Sequence, residues 1–262
     1  MRARLFVVVF AVVALLPSGV IGQQGSDGNL LRLDGQRWVP ADGYGVRLSV
    51  APNGEPWVVN SRNEIWRPVS DDSYEKLPGE ARDIGVGADG SVWIIGTDNG
   101  IYRWNQNNWD RVQGSGAAIA VDRSGSPWVV NAENQIFRWT NGRFVMMNGQ
   151  ARDIAAGPDG GVYIVGTNSE VYRLAGNNWQ SMGGSADRIA AGPNGTVWVV
   201  NSSREIYRWT NGAFERMSGS AVDIAVNANG QAWIVSGRGG GERLRDFERG
   251  RGRGRGRDRD RN

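Results

Sequence analysis

The 262-residue sequence contains no cysteine and no histidine, and one lysine, Lys76, stands among its 30 basic residues. Without cysteine there is no disulfide frame, no thiolate nucleophile and no zinc–thiolate site, so stability has to come from packing. Without histidine the usual general base, the Ser-His-Asp triad and imidazole metal ligation are all missing. Carboxylates and arginine are what remains for acid–base chemistry, which argues against an enzyme. Long apolar runs are scarce as well. The stretch from Leu5 to Leu16 falls short of the roughly 20 residues that span a bilayer.

What is abundant is glycine (39) and tryptophan (12), within a composition that is 40% hydrophobic and 22% charged. That is enough apolar material for one large core. The net charge of +3 hides an uneven distribution. Residues 23–236 hold 18 basic against 22 acidic side chains, whereas residues 237–262 hold ten arginines against five acids.

The two ends differ from the body. Residues 1–22 carry Arg2 and Arg4, the apolar run, Pro17, and then Val20 and Gly22 at the −3 and −1 positions of a cleavage site. This is the pattern of a signal peptide, so the chain is expected to be exported, periplasmic or extracellular, with no transmembrane segment after cleavage. Residues 237–262 end in Arg-Gly and Arg-Asp repeats with little to bury, which predicts a disordered basic tail. Three readings are open for it: a solvated end, a contact for anionic polysaccharide or lipid phosphate, or nucleic-acid binding. Export and the lack of interleaved aromatics weigh against the last.

Between the ends the sequence repeats. Trp57, Trp93, Trp128, Tyr163, Trp198 and Trp233 recur every 35 or 36 residues, each followed by two β-branched residues. Trp38, Tyr74, Trp109, Phe144, Trp179 and Phe214 keep the same spacing, as do Leu48, Ile84, Ile119, Ile154, Ile189 and Ile224. Each unit holds four short β-rich runs, the first two separated by a turn such as Asp89-Gly90 or Asn194-Gly195. Four antiparallel strands per unit predict an all-β fold, a six-bladed β-propeller over residues 23–236. Leu30 to Leu33 and Trp38 match the third and fourth strands that the last unit lacks, so the N-terminal strand is expected to close the ring. Glu242-Arg243-Leu244 also falls in phase with that third strand.

A finer alternation runs beneath. The residue after the β-branched pair reads Asn60, Gly96, Asn131, Gly166, Asn201, Ser236, and the one before the Leu/Ile series reads Arg47, Asp83, Ala118, Asp153, Arg188, Asp223. This points to three copies of a 70-residue double unit.

The runs Val197-Trp198-Val199-Val200-Asn201-Ser202 and Ile206-Tyr207-Arg208, with Val92-Trp93 and Ile101-Tyr102-Arg103, resemble tectonin repeats. The resemblance covers about residues 29–236 and implies a six-bladed lectin similar to fish-egg lectin and tachylectin-type lectins. Those lectins carry cysteines that this chain lacks. A glycan or anionic polysaccharide is therefore the expected partner, bound without catalysis, cofactor or metal. A protein partner on the same face is the alternative, and a carboxylate glycosidase the third reading. Asp89-Gly90-Ser91-Val92-Trp93 misses the sialidase Asp-box by one position, which weakens the last.

The candidate ligand-binding residues are polar groups expected on one propeller face. They are Asn60, Asn131 and Asn201 at the ends of second strands, Glu64, Gln135 and Glu205 at the starts of third strands, and Asp83, Asp153 and Asp223 at the start of the following unit. Arg67, Arg138 and Arg208 would hold anionic substituents. A structural reading competes at every position: the asparagines cap their own hairpins and the arginines pair with acids between blades.

Overall fold

The computed structural model describes residues 27–70 and 73–237. The expected signal segment, nearly all of the basic tail and Glu242-Arg243-Leu244 lie outside the described residues. The described part is all-β apart from one 3-10 turn at Pro193–Gly195, and none of its helices is long and apolar enough to cross a membrane.

The strands run in chain order as β1 (Gly28–Asp34), β2 (Arg37–Gly45), β3 (Arg47–Val50), β4 (Pro56–Val59), β5 (Glu64–Ser70), β6 (Ser73–Val86), β7 (Val92–Gly96) and β8 (Gly100–Trp104). They continue as β9 (Trp109–Ser115), β10 (Ala118–Val121), β11 (Pro127–Val130), β12 (Gln135–Thr140), β13 (Arg143–Ala156), β14 (Val162–Gly166) and β15 (Glu170–Ala175). The last are β16 (Asn178–Ser185), β17 (Arg188–Ala191), β18 (Val197–Val200), β19 (Ile206–Thr210), β20 (Ala213–Arg216), β21 (Ala221–Val226) and β22 (Ala232–Ser236).

Most pair antiparallel with the next strand, in two four-stranded sheets and two seven-stranded ones, each of the latter made of two four-stranded ladders that share a strand. The turns follow from backbone chemistry. Gly54, Gly90, Gly125, Gly160, Gly195 and Gly230 all have positive φ, and Asn141-Gly142 and Asn211-Gly212 place two successive residues there, as tight hairpins with the twist of the strands require.

Two junctions differ from separate strands joined by a loop. β6 and β13 are each 14 residues long. Their outer halves pair with β5 and β12, and their inner halves with β7 and β14. The chain thus passes from the outer edge of one ladder to the inner edge of the next without a break. Gly79 and Gly149, at φ of 80° and 89°, supply the bend inside the strand.

The innermost strands β3, β6, β10, β13, β17 and β21 each pack on the next, and β21 lies against β3. β1 pairs with β22, matching Leu30 to Val235, Leu31 to Ile234 and Arg32 to Trp233, so β1 and β2 complete the sheet of β21 and β22. The core lies between ladders. Pro-Trp-Val-Val in β4 and β11 is buried at every position, which explains why these strands read as continuous apolar runs. The six recurring second-strand aromatics are all buried core.

Candidate binding clefts

The polar residues expected on one face separate into three places. At the hairpins after β4, β11 and β18, Asn60, Asn131 and Asn201 use their side chains locally. Each amide donates to the residue four positions on: Glu64 at 2.7 Å, Gln135 at 2.9 Å and Glu205 at 3.0 Å. Each carbonyl oxygen accepts from two backbone N–H groups of its own hairpin. Burial pushes the Glu64 carboxyl up, but hydrogen bonds from Lys76, Asn60 and Arg62 outweigh it and hold the pKa at about 2.

Arg67, Arg138 and Arg208 lie on the third strands over the second-strand indoles, with guanidinium carbons 5.9, 5.2 and 5.4 Å from the ring centroids of Trp57, Trp128 and Trp198. The register sets Arg138 directly across from Trp128 and Arg208 from Trp198. These are cross-strand cation–π contacts. Arg67 is also paired with Glu75.

Asp83, Asp153 and Asp223 stand at the axis. Each reaches across a ladder boundary to accept a backbone N–H: Ile119 at 2.8 Å, Ile189 at 3.0 Å and Leu48 at 2.9 Å. They line a narrow central cavity of about 90 Å³, together with Arg188, which lies 3.7 Å from Asp153. Burial raises all three carboxyls, Asp83 to about 7 and Asp223 to about 6. Among the described residues no three carboxylates converge as metal ligands.

The roomier cavities lie elsewhere, in clefts between ladders, with volumes of about 300, 440 and 530 Å³. Each is walled by a positive-φ glycine of one ladder and an aromatic pair of the next: Gly79 with Tyr102 and Trp109, Gly149 with Tyr172 and Trp179, Gly184 with Tyr207 and Phe214. The indoles of Trp109 and Trp179 are fixed by donating to the carbonyls of Pro78 at 2.8 Å and Asn148 at 2.7 Å.

Beside each cleft the tyrosine hydroxyl donates to a carboxylate: Tyr102 to Asp98 at 2.8 Å, Tyr172 to Glu170 at 2.8 Å and Tyr207 to Glu205 at 3.0 Å. Hydrogen bonds hold these acids below the ordinary carboxylate range, led by the Gly100 N–H at Asp98, Ser181 at Glu170 and Asn201 at Glu205. Each cleft therefore joins half-buried ring surface to an ionised hydrogen-bond acceptor.

Of the expected site residues, Asn201 lines a cleft, and Glu205 sits beside it. The tyrosines are the residues that sequence reasoning passed over. The signal was present, because the middle of the third strand reads Leu31, Trp66, Tyr102, Phe137, Tyr172, Tyr207, with a phenol in only three units. The 70-residue relation accounts for two clefts and predicts a third copy at Gly219 and Trp38. There the indole again donates to a carbonyl, that of Ser218 at 2.8 Å, but Leu31 stands where the phenol would be.

A family model of the Tectonin domain matches residues 68–125, 80–163 and 150–240. The chain belongs to the tectonin family. No curated protein sequence matches this tectonin. Among solved structures it is similar to the WD40 β-propeller domain of Doa1, at 16% identity and a TM-score of 0.58, over 80% of this chain and 83% of that one. It is also similar to YCF48 bound to D1 peptide, at 19% identity and a TM-score of 0.51, over 78% and 84% of the two chains. The fold of this tectonin is thus that of a β-propeller.

Proposed function

We propose that this protein is an exported six-bladed propeller, its ring closed by β1 and β2, that binds glycans multivalently and without catalysis. The observation that carries the reading is the repeated cleft. Three times, an aromatic wall adjoins an ionised carboxylate held by a tyrosine hydroxyl. Aromatic surface stacks on the C–H face of a sugar ring, and the carboxylate accepts from its hydroxyls. The ligand class is neutral, because the cleft acids repel anionic sugars; Arg111 and Arg216 lie near Asp98 and Glu205, but among the described residues no cation lies within ion-pair distance of Glu170. Shallow sites of this kind are individually weak and gain by simultaneous engagement of a glycan-coated surface.

A protein-interaction scaffold is the second reading. The exposed Val145 and Met146 on β13 favour it, and one propeller of similar fold, YCF48, is bound to a peptide.

A glycan array probed with the protein tests the proposal. Binding to neutral surface polysaccharide is expected, and the combined Asp98→Asn, Glu170→Gln and Glu205→Gln variant should lose most of it with little change in melting temperature. Undiminished binding by that well-folded variant would place the ligand elsewhere. Release of reducing sugar from a bound polysaccharide would identify a glycosidase instead.

A further inference from the structure

The third and fourth strands of every unit pair in one register, so the outer edges are equivalent position by position. Two residues after the turn, the edges read Glu75-Lys76, Asp110-Arg111, Val145-Met146, Gln180-Ser181, Glu215-Arg216 and Val39-Pro40, and the first of each pair stands across from an arginine of the third strand. An open strand edge is a template for pairing with another chain, and charge or proline is the usual protection. Three of these edges carry an acid followed by a base, one carries two neutral polar residues, and Pro40 removes an N–H from β2.

The edge of β13 has none of these. Val145 and Met146 are 39% and 61% exposed, and among the described residues Val69 is the one other large apolar side chain left so open. The outer half of β13 has β12 on one side, and among the described residues no strand pairs with it on the other. Thr140 and Arg143 flank the turn Asn141-Gly142 and close it as a hydrogen-bonded pair. By alternation the backbone of Val145 faces β12, and Phe144 and Met146 turn their N–H and C=O groups outward. The hairpin of β19 and β20 has the same phase, with the N–H of Met217, the counterpart of Met147, donating inward to Ile206.

This edge is complementary to a second copy of itself. With a two-fold axis at Val145, antiparallel pairing sets Phe144 opposite Met146 of the other copy, and each such pair exchanges both backbone bonds through the groups that point outward. Val145 then meets its own counterpart, and Arg143 lies across from Met147 rather than from another charge. The same operation on β6, β9 or β20 would put Glu75, Asp110 or Glu215 directly against itself, which is destabilising. On β2, Pro40 has no N–H to give. On β16, Gln180 would meet itself with no apolar surface to bury.

We propose that the outer half of β13 pairs with the same strand of a second copy, joining the two bodies edge to edge about a two-fold axis at Val145. Such a contact uses the same patch on both subunits and closes at the dimer. The dimer presents two sets of clefts to one surface, which adds to the multivalency of the proposed function. The pairing itself does not rest on that function.

Sedimentation equilibrium of the full chain tests the pairing. The parent chain is expected at twice its monomer mass, and Val145→Glu at the monomer mass. Glutamate already stands across from the arginine in two other units, as Glu75 and Glu215, and Glu75 is ion-paired with Arg67, so Arg138 can receive it. A monomeric parent chain would overturn the proposal and leave the edge to an extended peptide. A folded Val145→Glu chain that stays dimeric would overturn it as well. If Val145→Glu does not fold, cross-linking decides. The sequence has no cysteine, and at the axis the Cα atoms of the two copies would lie about 4.5 Å apart, within the roughly 4.4–6.8 Å that a disulfide spans. Val145→Cys should therefore form a covalent dimer in air far faster than Gln180→Cys, at the equivalent position of β16, and equal rates would refute the pairing.

Discussion

Gly149 shows how a single residue shapes a cleft. Its φ is 89°, and an added Cβ would sit 2.8 Å from Cδ1 of Trp179. The residue is thus required twice, once by the left-handed backbone and once by the indole packed over it. Gly149→Ala should cost about 1–3 kcal/mol through strain and overpacking. The check is chemical denaturation, with a lower midpoint and an unchanged slope. Gly79 has the same φ sign but a nearest approach of 3.4 Å to Trp109, so Gly79→Ala should cost less. The difference between these two equivalent positions is itself measurable. The tyrosines belong to this scale as well. A phenol among Leu31, Trp66 and Phe137 is visible in the sequence, but its pairing with Asp98, Glu170 or Glu205 depends on how the hairpin carries the acid back over the ring.

At the scale of the element, the aspartates carried by three of the inner strands, β6, β13 and β21, join neighbouring ladders through hydrogen bonds to the next strand's backbone. Their placement carries a pH signature. In the folded protein Asp83 titrates near 7 and Asp223 near 6, both raised by burial; in the unfolded chain an aspartate titrates near 3.9. Between those values the folded state binds more protons than the unfolded one, so the stability these aspartates contribute is fully present below about 4 and is lost as pH rises through about 6 to 7. The expected result is a higher denaturation midpoint at pH 5 than at pH 8. Asp83→Asn, Asp153→Asn and Asp223→Asn together should flatten that dependence and raise the midpoint at pH 8. A parent chain that gains stability from pH 5 to pH 8 would contradict it.

For the whole molecule, the N-terminal hairpin matters more than its length suggests. Leu30 is fully buried, and Leu31, Leu33 and Trp38 pack on the cluster that contains Trp198 and Ile234. Trp38 meets Trp198 edge to face at a centroid distance of 6.1 Å. At about 1.5–3 kcal/mol per large buried side chain, removing residues 27–45 should withdraw an amount comparable to the roughly 5–15 kcal/mol that hold a domain folded. It would also bare the edge of β22. Loss of the cooperative thermal transition is expected in a melting scan, and an unchanged melting curve would show that the hairpin is dispensable.

Periodicity alone determined that this chain forms repeated four-stranded units. It also located the buried aromatic series and the glycine turns, because strand alternation, hairpin φ requirements and core burial are local constraints that recur with each unit. It exposed the Arg, Asp, Ala alternation too, as a pattern without a place. Only the tertiary structure decided where those groups act. Asp83, Asp153 and Asp223 are neighbours because separate strands are brought to one axis, and no sequence separation encodes the distance between them. The same holds for the asparagines. Their type and spacing fitted a ligand site and a capped hairpin equally well, and the hairpin geometry committed their amides and carbonyls to the chain itself. The clefts are spaces between ladders, set by how far a glycine lets one strand bend beneath the aromatic of the next. That depends on packing across the boundary between units, which a pattern within each unit does not specify.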